Sequence, residues 1–306
     1  MSSKKLIKIK TISEYHRLRG LPKPMHPLIS IVDFSSIKYS EETEDVNWIF
    51  DFYSIALKRN FGSKFTYGQQ QYDFDDGILF FMSPGQLFGV KIDDKKKFHP
   101  RGYMLLVHPD FLWNTTLAAT IKQYGFFDYS VNEALFLSDK EERIINGIIE
   151  NISQECHSNI DKFSKQIIIS HIENMLSYSE RFYNRQFITR EKANHQILEQ
   201  LEKILSEYFN SDELISKGLP SVQLVAENLH VSPSYLGGLL RVLTGQNTQQ
   251  HIHNKLIEKA KEKLSTTNLT VSEIAYQLGF EHSQSFNKLF KTKTKVSPLV
   301  FRRSFN

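Results

Sequence analysis

Two stretches of this chain repeat one apolar pattern, and the repetition narrows the possible folds more than any other feature. Val222, Val225, Ala226 and Leu229 recur as Val271, Ile274, Ala275 and Leu278 at an offset of 49. Leu236, Leu239 and Leu240 recur as Phe286, Leu289 and Phe290 at an offset of 50. In each copy the first four positions follow the helical period, a turn interrupts it, and the last three resume it on a second helix. The pattern predicts two helix-turn-helix units, at 221–241 and 270–291, with one extra residue in the second turn. Ala226 and Ala275 fall where the two helices of a unit cross, and a larger side chain there would push the second helix away. In the second copy the wedge Gly279, Phe280, Glu281 and His282 aims the helix that follows it.

Between the copies, Thr248 to Leu264 keeps Ile252, Leu256, Ile257, Ala260 and Leu264 at helical spacing among charges. One helix of about 25 Å is expected there, at 1.5 Å per residue. A rod of that length suits two second helices that meet one face of B-DNA, whose successive major-groove entries lie about 34 Å apart. Charge agrees with such a partner. Residues 219–306 carry eleven Lys and Arg against five Glu and no Asp, a net of +6, whereas residues 1–218 sum to −2. A basic module beside a slightly acidic one suits contact with phosphates, although a solvated lysine-rich face gives the same count.

The motifs VAENLHVSPSYL, LTGQNTQQHI, VSEIAYQLGF, SQSFNKLFK and SPLVFRRSF together resemble the AraC/XylS family of bacterial transcription regulators over about the last 110 residues. The resemblance implies an all-helical DNA-binding domain with two such units joined by a long helix. It also implies a role at promoter DNA, usually as an activator that recruits or helps RNA polymerase. Ser297 is expected to cap the closing helix, with Pro298 in its first turn and Phe301 packed on the second unit. Two departures from the family pattern stand out. Gly237 and Gly238 occupy positions where similar members place polar or basic side chains, and Leu256 stands where an arginine is frequent.

Base contacts are expected from the exposed sides of the two second helices. In the second unit these are Ser283, Gln284, Ser285, Asn287 and Lys288. Gln284 and Asn287 suit an adenine edge, and Lys288 suits guanine acceptors or a phosphate. Lys291 is a candidate for the sugar-phosphate backbone, as are Lys293 and Lys295. In the first unit the candidates are Ser234, Tyr235 and Arg241, with Gly237 and Gly238 allowing close backbone approach.

The first part of the chain reads differently. ISIVDF, FDFYSIALK, KFTYGQQQYDF, GILFFMS, GQLFGVKI and GYMLLVH are short β-branched or aromatic runs bounded by turn residues, which predicts an antiparallel barrel or sandwich. GILFFMSPGQLFGV and RGYMLLVHPDFLW resemble the cupin-like sensory barrel found ahead of this DNA-binding domain, which implies a small effector. The aromatics Phe50, Phe52, Tyr53, Phe65, Tyr67, Tyr72, Phe74, Phe80, Phe81, Phe88 and Tyr103 are expected mainly in its core, and 93–97 as a solvated loop tip. His26, His99 and His108 form no His-x-His pair, so no metal site is expected. His108 is read instead as capping a strand end or bonding a neighbouring loop.

Ser138 with Glu141 predicts a capped helix through Ile144, Ile145, Ile148, Ile149 and Ile152. A second helix carries Phe163, Ile167, Ile168, Ile172, Met175 and Leu176. This apolar surplus either covers the barrel or pairs across a homodimer. The resulting expectation is an α+β chain. It has a cupin-like antiparallel β-barrel at 1–135, connecting helices at 136–185, a polar linker at 186–194 and an all-α double helix-turn-helix domain at 195–306.

Cys156 is the single cysteine, so no internal disulfide can form. No membrane-spanning run or secretory leader is apparent, which leads to an expected cytoplasmic location with no membrane partner. No cofactor is expected. An enzyme reading finds no activated nucleophile, paired catalytic carboxylates or phosphate-cradling loop. An interaction protein whose helical pairs bind protein remains the alternative to a DNA-binding regulator.

Overall fold

A computed structural model describes residues 6–38, 46–59, 65–67, 70–72, 77–89, 101–129, 133–158, 161–189, 191–211 and 213–304. The side chains of Phe65, Tyr67, Tyr72 and Phe88, and all of Phe74, 93–97 and His99, lie outside the described residues. The chain divides into two compact units, Met1–Gln186 and Phe187–Asn306.

The first unit opens with β1 (Leu6–Ile9), α1 (Ile12–Leu18), β2 (Ile29–Asp33), β3 (Asn47–Phe50), β4 (Tyr53–Arg59), β5 (Phe65–Tyr67) and β6 (Gln70–Tyr72). It continues with β7 (Ile78–Met82), β8 (Leu87–Gly89), β9 (Arg101–Val107), α2 (Pro109–Leu112), α3 (Thr116–Thr120) and β10 (Leu135–Phe136). It ends in α4 (Asp139–His157) and most of α5 (Ser164–Thr189). The principal sheet has the order β10-β7-β4-β9-β2, all antiparallel. A second sheet, β1-β3-β8, contains the parallel pair β1–β3, and β5 with β6 forms a ribbon.

Strand β4 is the centre of this unit. Ile55 lies opposite Phe81 on one side and Leu105 on the other, and Tyr53 through Leu57 are all buried. Burial on both faces means that both are covered. Ala56 faces a cluster with Trp48, Phe50, Phe52, Met104 and Leu106. Tyr53 and Phe81 face the other way, with their rings 5.3 and 5.5 Å from that of Phe127.

Several expectations change here. Among the described residues the strands form open sheets, with β10 and β2 as edges, and no closed barrel is present. A parallel pair and a two-residue edge strand do not continue an antiparallel ring. The elements β1, α1 and β3 went unpredicted because LIKI and NWIF are too short for alternation to register. Phe50, Phe52, Tyr53 and Phe81 are buried as expected, but Tyr103 is 36% exposed. His108 caps α2, its Nδ1 accepting from the Asp110 N–H at 3.3 Å.

The capping box at the start of α4 is present, and Ile145, Ile148, Ile149 and Ile152 are buried. Glu142 is buried too, paired with Arg59 at 2.6 Å in space left by Gly77, where a Cβ would lie 2.6 Å from Glu142 Oε2. Arg185 closes the base of α4 by donating to Glu141 and to the Phe136 carbonyl. Ile168, Ile172, Met175 and Leu176 of α5 are buried within the single chain, whereas Phe163 and Ile167 are exposed. The surplus that suggested pairing therefore narrows to those two side chains. Among the described residues no helix is long and apolar enough to cross a membrane.

The second unit is helical: α6 (Glu191–Asn210), α7 (Glu213–Lys217), α8 (Val222–Asn228), α9 (Pro233–Thr244), α10 (Thr248–Thr266), α11 (Val271–Gln277), α12 (Ser283–Thr294) and α13 (Pro298–Arg303). The described residues of the stretch read as a polar linker are helical instead. Residues 183–189 close α5 and 191–194 open α6. YNRQFITREKAN contains neither Gly nor Pro, and polarity without a breaker does not stop a helix. Asn194 is buried, and its side-chain amide donates to the Phe187 carbonyl.

Candidate nucleic-acid interface

Each half of the repeat builds the same turn. In the first, the Ser221 hydroxyl caps α8 by accepting from the Leu224 N–H at 3.1 Å, and Val225 and Ala226 are buried. The chain turns at His230, with φ +56°, while the Val231 N–H donates to the Ala226 carbonyl at 3.1 Å. Ser232 then caps α9 through the Tyr235 N–H, with Pro233 in the first turn.

In the second half, Thr270 and Glu273 form a capping box for α11, and hydrogen bonds from Thr270 hold the Glu273 carboxyl below its ordinary pKa. The chain turns at Gly279, with φ +79°, and the Phe280 N–H donates to the Ala275 carbonyl at 3.0 Å. The left-handed residue and the closing bond thus repeat at one offset. The additional residue falls after the bond, at Glu281.

The turns differ in what surrounds them. A Cβ on Gly279 would lie 2.6 Å from the Leu214 carbonyl oxygen and 2.9 Å from Gly218 Cα, because α7 closes over this turn. The caps differ as well. His282 occupies the cap position of α12 without a side-chain hydrogen bond, so the first amides of α12 lack the hydroxyl that Ser232 gives α9. Such a terminus is suited to an anion.

Both second helices bury one face in a shared core, through Leu236 and Leu240 in α9 and Phe286 and Phe290 in α12. Helix α10 supplies Ile252, Leu256, Ile257, Ala260 and Leu264 to this core and, with 19 residues, is about 28 Å long. Leu256 is fully buried, so the residue that departs from the family pattern serves packing. Ser297 caps α13, and Phe301 sits with its ring 5.5 Å from Phe290.

On the outer side of α12, Gln284, Ser285, Asn287, Lys288 and Lys291 are exposed and Ser283 is half-buried. On α9, Arg241 is exposed, and Ser234, Gly237 and Gly238 are half-buried. Tyr235 requires a correction. Its side chain is 1% exposed and packs edge-on against Phe187, with centroids 5.2 Å apart, so the ring cannot reach a ligand outside the unit. The sequence signal was its four-residue spacing to Leu239, which puts Tyr235 on the apolar face.

Around Gly237 a Cβ would meet nothing within 4 Å. Gly237→Ala is accordingly expected to stabilise the compact unit Phe187–Asn306 by about 1 kcal/mol, through helix propensity alone, as measured by denaturation.

Sequence reasoning also missed a polar seam along α10. Gln249 bonds His253, and Thr244 bonds His251. Burial lowers the pKa of both imidazoles, and the Lys293 cation lowers that of His253 further. Asn254 reaches both Gln246 and Lys293.

Residues 225–304 match the family described as a helix-turn-helix domain. The chain carries an AraC-type helix-turn-helix domain. Curated relatives of this AraC-type domain include the uncharacterised HTH-type transcriptional regulator YfiF of Bacillus subtilis, 27% identical over 143 residues, 47% of this chain and 42% of that protein. The raffinose operon transcriptional regulatory protein RafR of Pediococcus pentosaceus is 36% identical over 76 residues, 25% of this chain and 27% of RafR. The chain thus spans less than half the length of either relative. Among solved structures, the C-terminal domain of the response regulator yesN from Fusobacterium nucleatum is 30% identical. It covers 34% of this chain and 95% of its own, with a TM-score of 0.30.

Proposed function

We propose that this chain is a sequence-specific DNA-binding transcription regulator that inserts α9 and α12 into the major groove of promoter DNA. The observation that carries this reading is the repeated unit. Two helices, each following the same turn, bury one face in a shared core and turn polar or basic positions outward. Base contacts fall to Gln284, Asn287 and Lys288, supported by Ser283 and Ser285. Lys291 and the uncapped start of α12 meet phosphates. The first unit contributes Ser234, Arg241 and close backbone approach at Gly237 and Gly238.

The AraC type further supports an activator that works with RNA polymerase in the cytoplasm. The N-terminal compact unit, Met1–Gln186, serves as its sensory part for a small effector, and a second copy of the chain is a further partner. The relatives are transcriptional regulators rather than enzymes.

Affinity of the full chain for duplex DNA, titrated against salt, tests this function. Neutralised phosphates release counterions, so log affinity is expected to fall linearly with log salt, with a slope of about −0.9 per phosphate contacted. A flat response would favour a protein partner for the helical pairs.

A further inference from the structure

We propose that Asn254 is a positioning residue that sets the relative orientation of the two second helices, and thereby the spacing of DNA half-sites the chain accepts. The inference rests on the DNA-binding function proposed above. Asn254 lies in the second turn of α10, half-buried, between the end of one unit and the end of the other. Its side-chain N–H donates to Gln246 Oε1 at 2.7 Å, immediately after Gly245 ends α9. Its side-chain oxygen accepts from Lys293 Nζ at 3.2 Å, in the last turn of α12. One planar amide thus engages both units at once, and using both its ends fixes its orientation.

The apolar contacts of α10 cannot do this by themselves. Ile252, Leu256, Ile257, Ala260 and Leu264 hold α10 in the core, but apolar burial is non-directional and tolerates small rotations of one helix over another. Hydrogen bonds are directional and do not. Both bonds lie toward the surface, so their contribution is angular rather than a large share of stability. The two units are modules joined by a short rod, and the second binding event depends on how well the rod presents its module. Loosened presentation lowers the effective concentration of the second unit without altering either contact surface. The same bond takes Lys293 out of the set of cations free to follow the backbone, and its charge also faces His253.

The test uses the full chain and a duplex selected by the wild-type protein from a random-sequence library. Asn254→Leu is expected to bind that duplex about tenfold more weakly, to bind a duplex with one half scrambled as wild type does, and to tolerate one added base pair between the halves better. Asn254→Asp is expected to behave as wild type, since a carboxylate accepts from Lys293 and from a rotated Gln246 amide. Gln246→Ala is expected to reproduce the relaxed spacing. Equal loss on the intact and half-scrambled duplexes, or unchanged spacing discrimination, would overturn the assignment.

Spin labels at Arg241→Cys and Lys288→Cys, in a Cys156→Ser background, give a readout without DNA. The distance distribution is expected to broaden on Asn254→Leu, and an unchanged one counts against the proposal. If wild type selects no duplex, the DNA-binding function falls while the distance measurement still decides the role of Asn254.

Discussion

Gly279→Ala is expected to destabilise the second unit by about 4 kcal/mol and to melt it selectively. Two independent costs add. A Cβ at φ +79° costs about 1–2 kcal/mol through backbone sterics alone. That same Cβ would stand 2.6 Å from the Leu214 carbonyl oxygen and 2.9 Å from Gly218 Cα, which are backbone atoms with no rotamer to change. Forcing them apart costs about 1–3 kcal/mol more, by analogy with overpacking. Thermal denaturation followed by helical circular dichroism should show the loss in the second unit. The mirror substitution His230→Gly removes strain at the matching residue of the first helix-turn-helix and serves as a control of opposite sign. A stability of Gly279→Ala within 1 kcal/mol of wild type would mean that α7 does not close over this turn.

The second large effect is on recognition. Alanine at both Gln284 and Lys288 is expected to lower affinity for the selected duplex by about 3 kcal/mol, roughly a hundredfold, because each good base contact discriminates by about 1–3 kcal/mol. Binding to random duplex should weaken far less. Its salt slope should become shallower by about 1, since one cation is gone. Both side chains are exposed, so stability should remain as it was. Parallel losses on selected and random duplexes would remove these residues from base readout and leave them as sources of positive potential.

The helical unit was the more legible half of the chain for a physical reason. Its elements are local, so a period of 3.6, with Ser297 as the cap of the closing helix, reveals them from neighbouring residues, and the structure adds Ser221, Ser232 and Thr270 as further caps. What the period could not reveal was which residues cross between elements. The spacing to Leu239 puts Tyr235 on the apolar face, but its cover, Phe187, lies 48 positions earlier in the stretch read as a polar linker. Asn254 read as one polar residue among many, since its partners belong to other helices.

The sheet half shows the same limit more strongly. β4, β7 and β9 announced themselves by unbroken apolar runs, yet nothing local in ISIVDF or LIKI says whether a sheet closes on itself or stays open. Closure depends on pairings between distant strands, and here β1 pairs parallel with β3 across 41 residues of sequence.

The edge-on contact between Phe187 and Tyr235 redraws the bounds of the proposed DNA-binding module. A fragment started at His195, where the polar stretch ends, would strip the tyrosine of its lid and expose a ring at the root of α9. Excising the module upstream of Phe187 keeps that ring dry and also retains the backbone acceptor for Asn194. The residues that open the second compact unit, from Phe187 onward, therefore belong with the proposed DNA-binding part rather than with a dispensable tether.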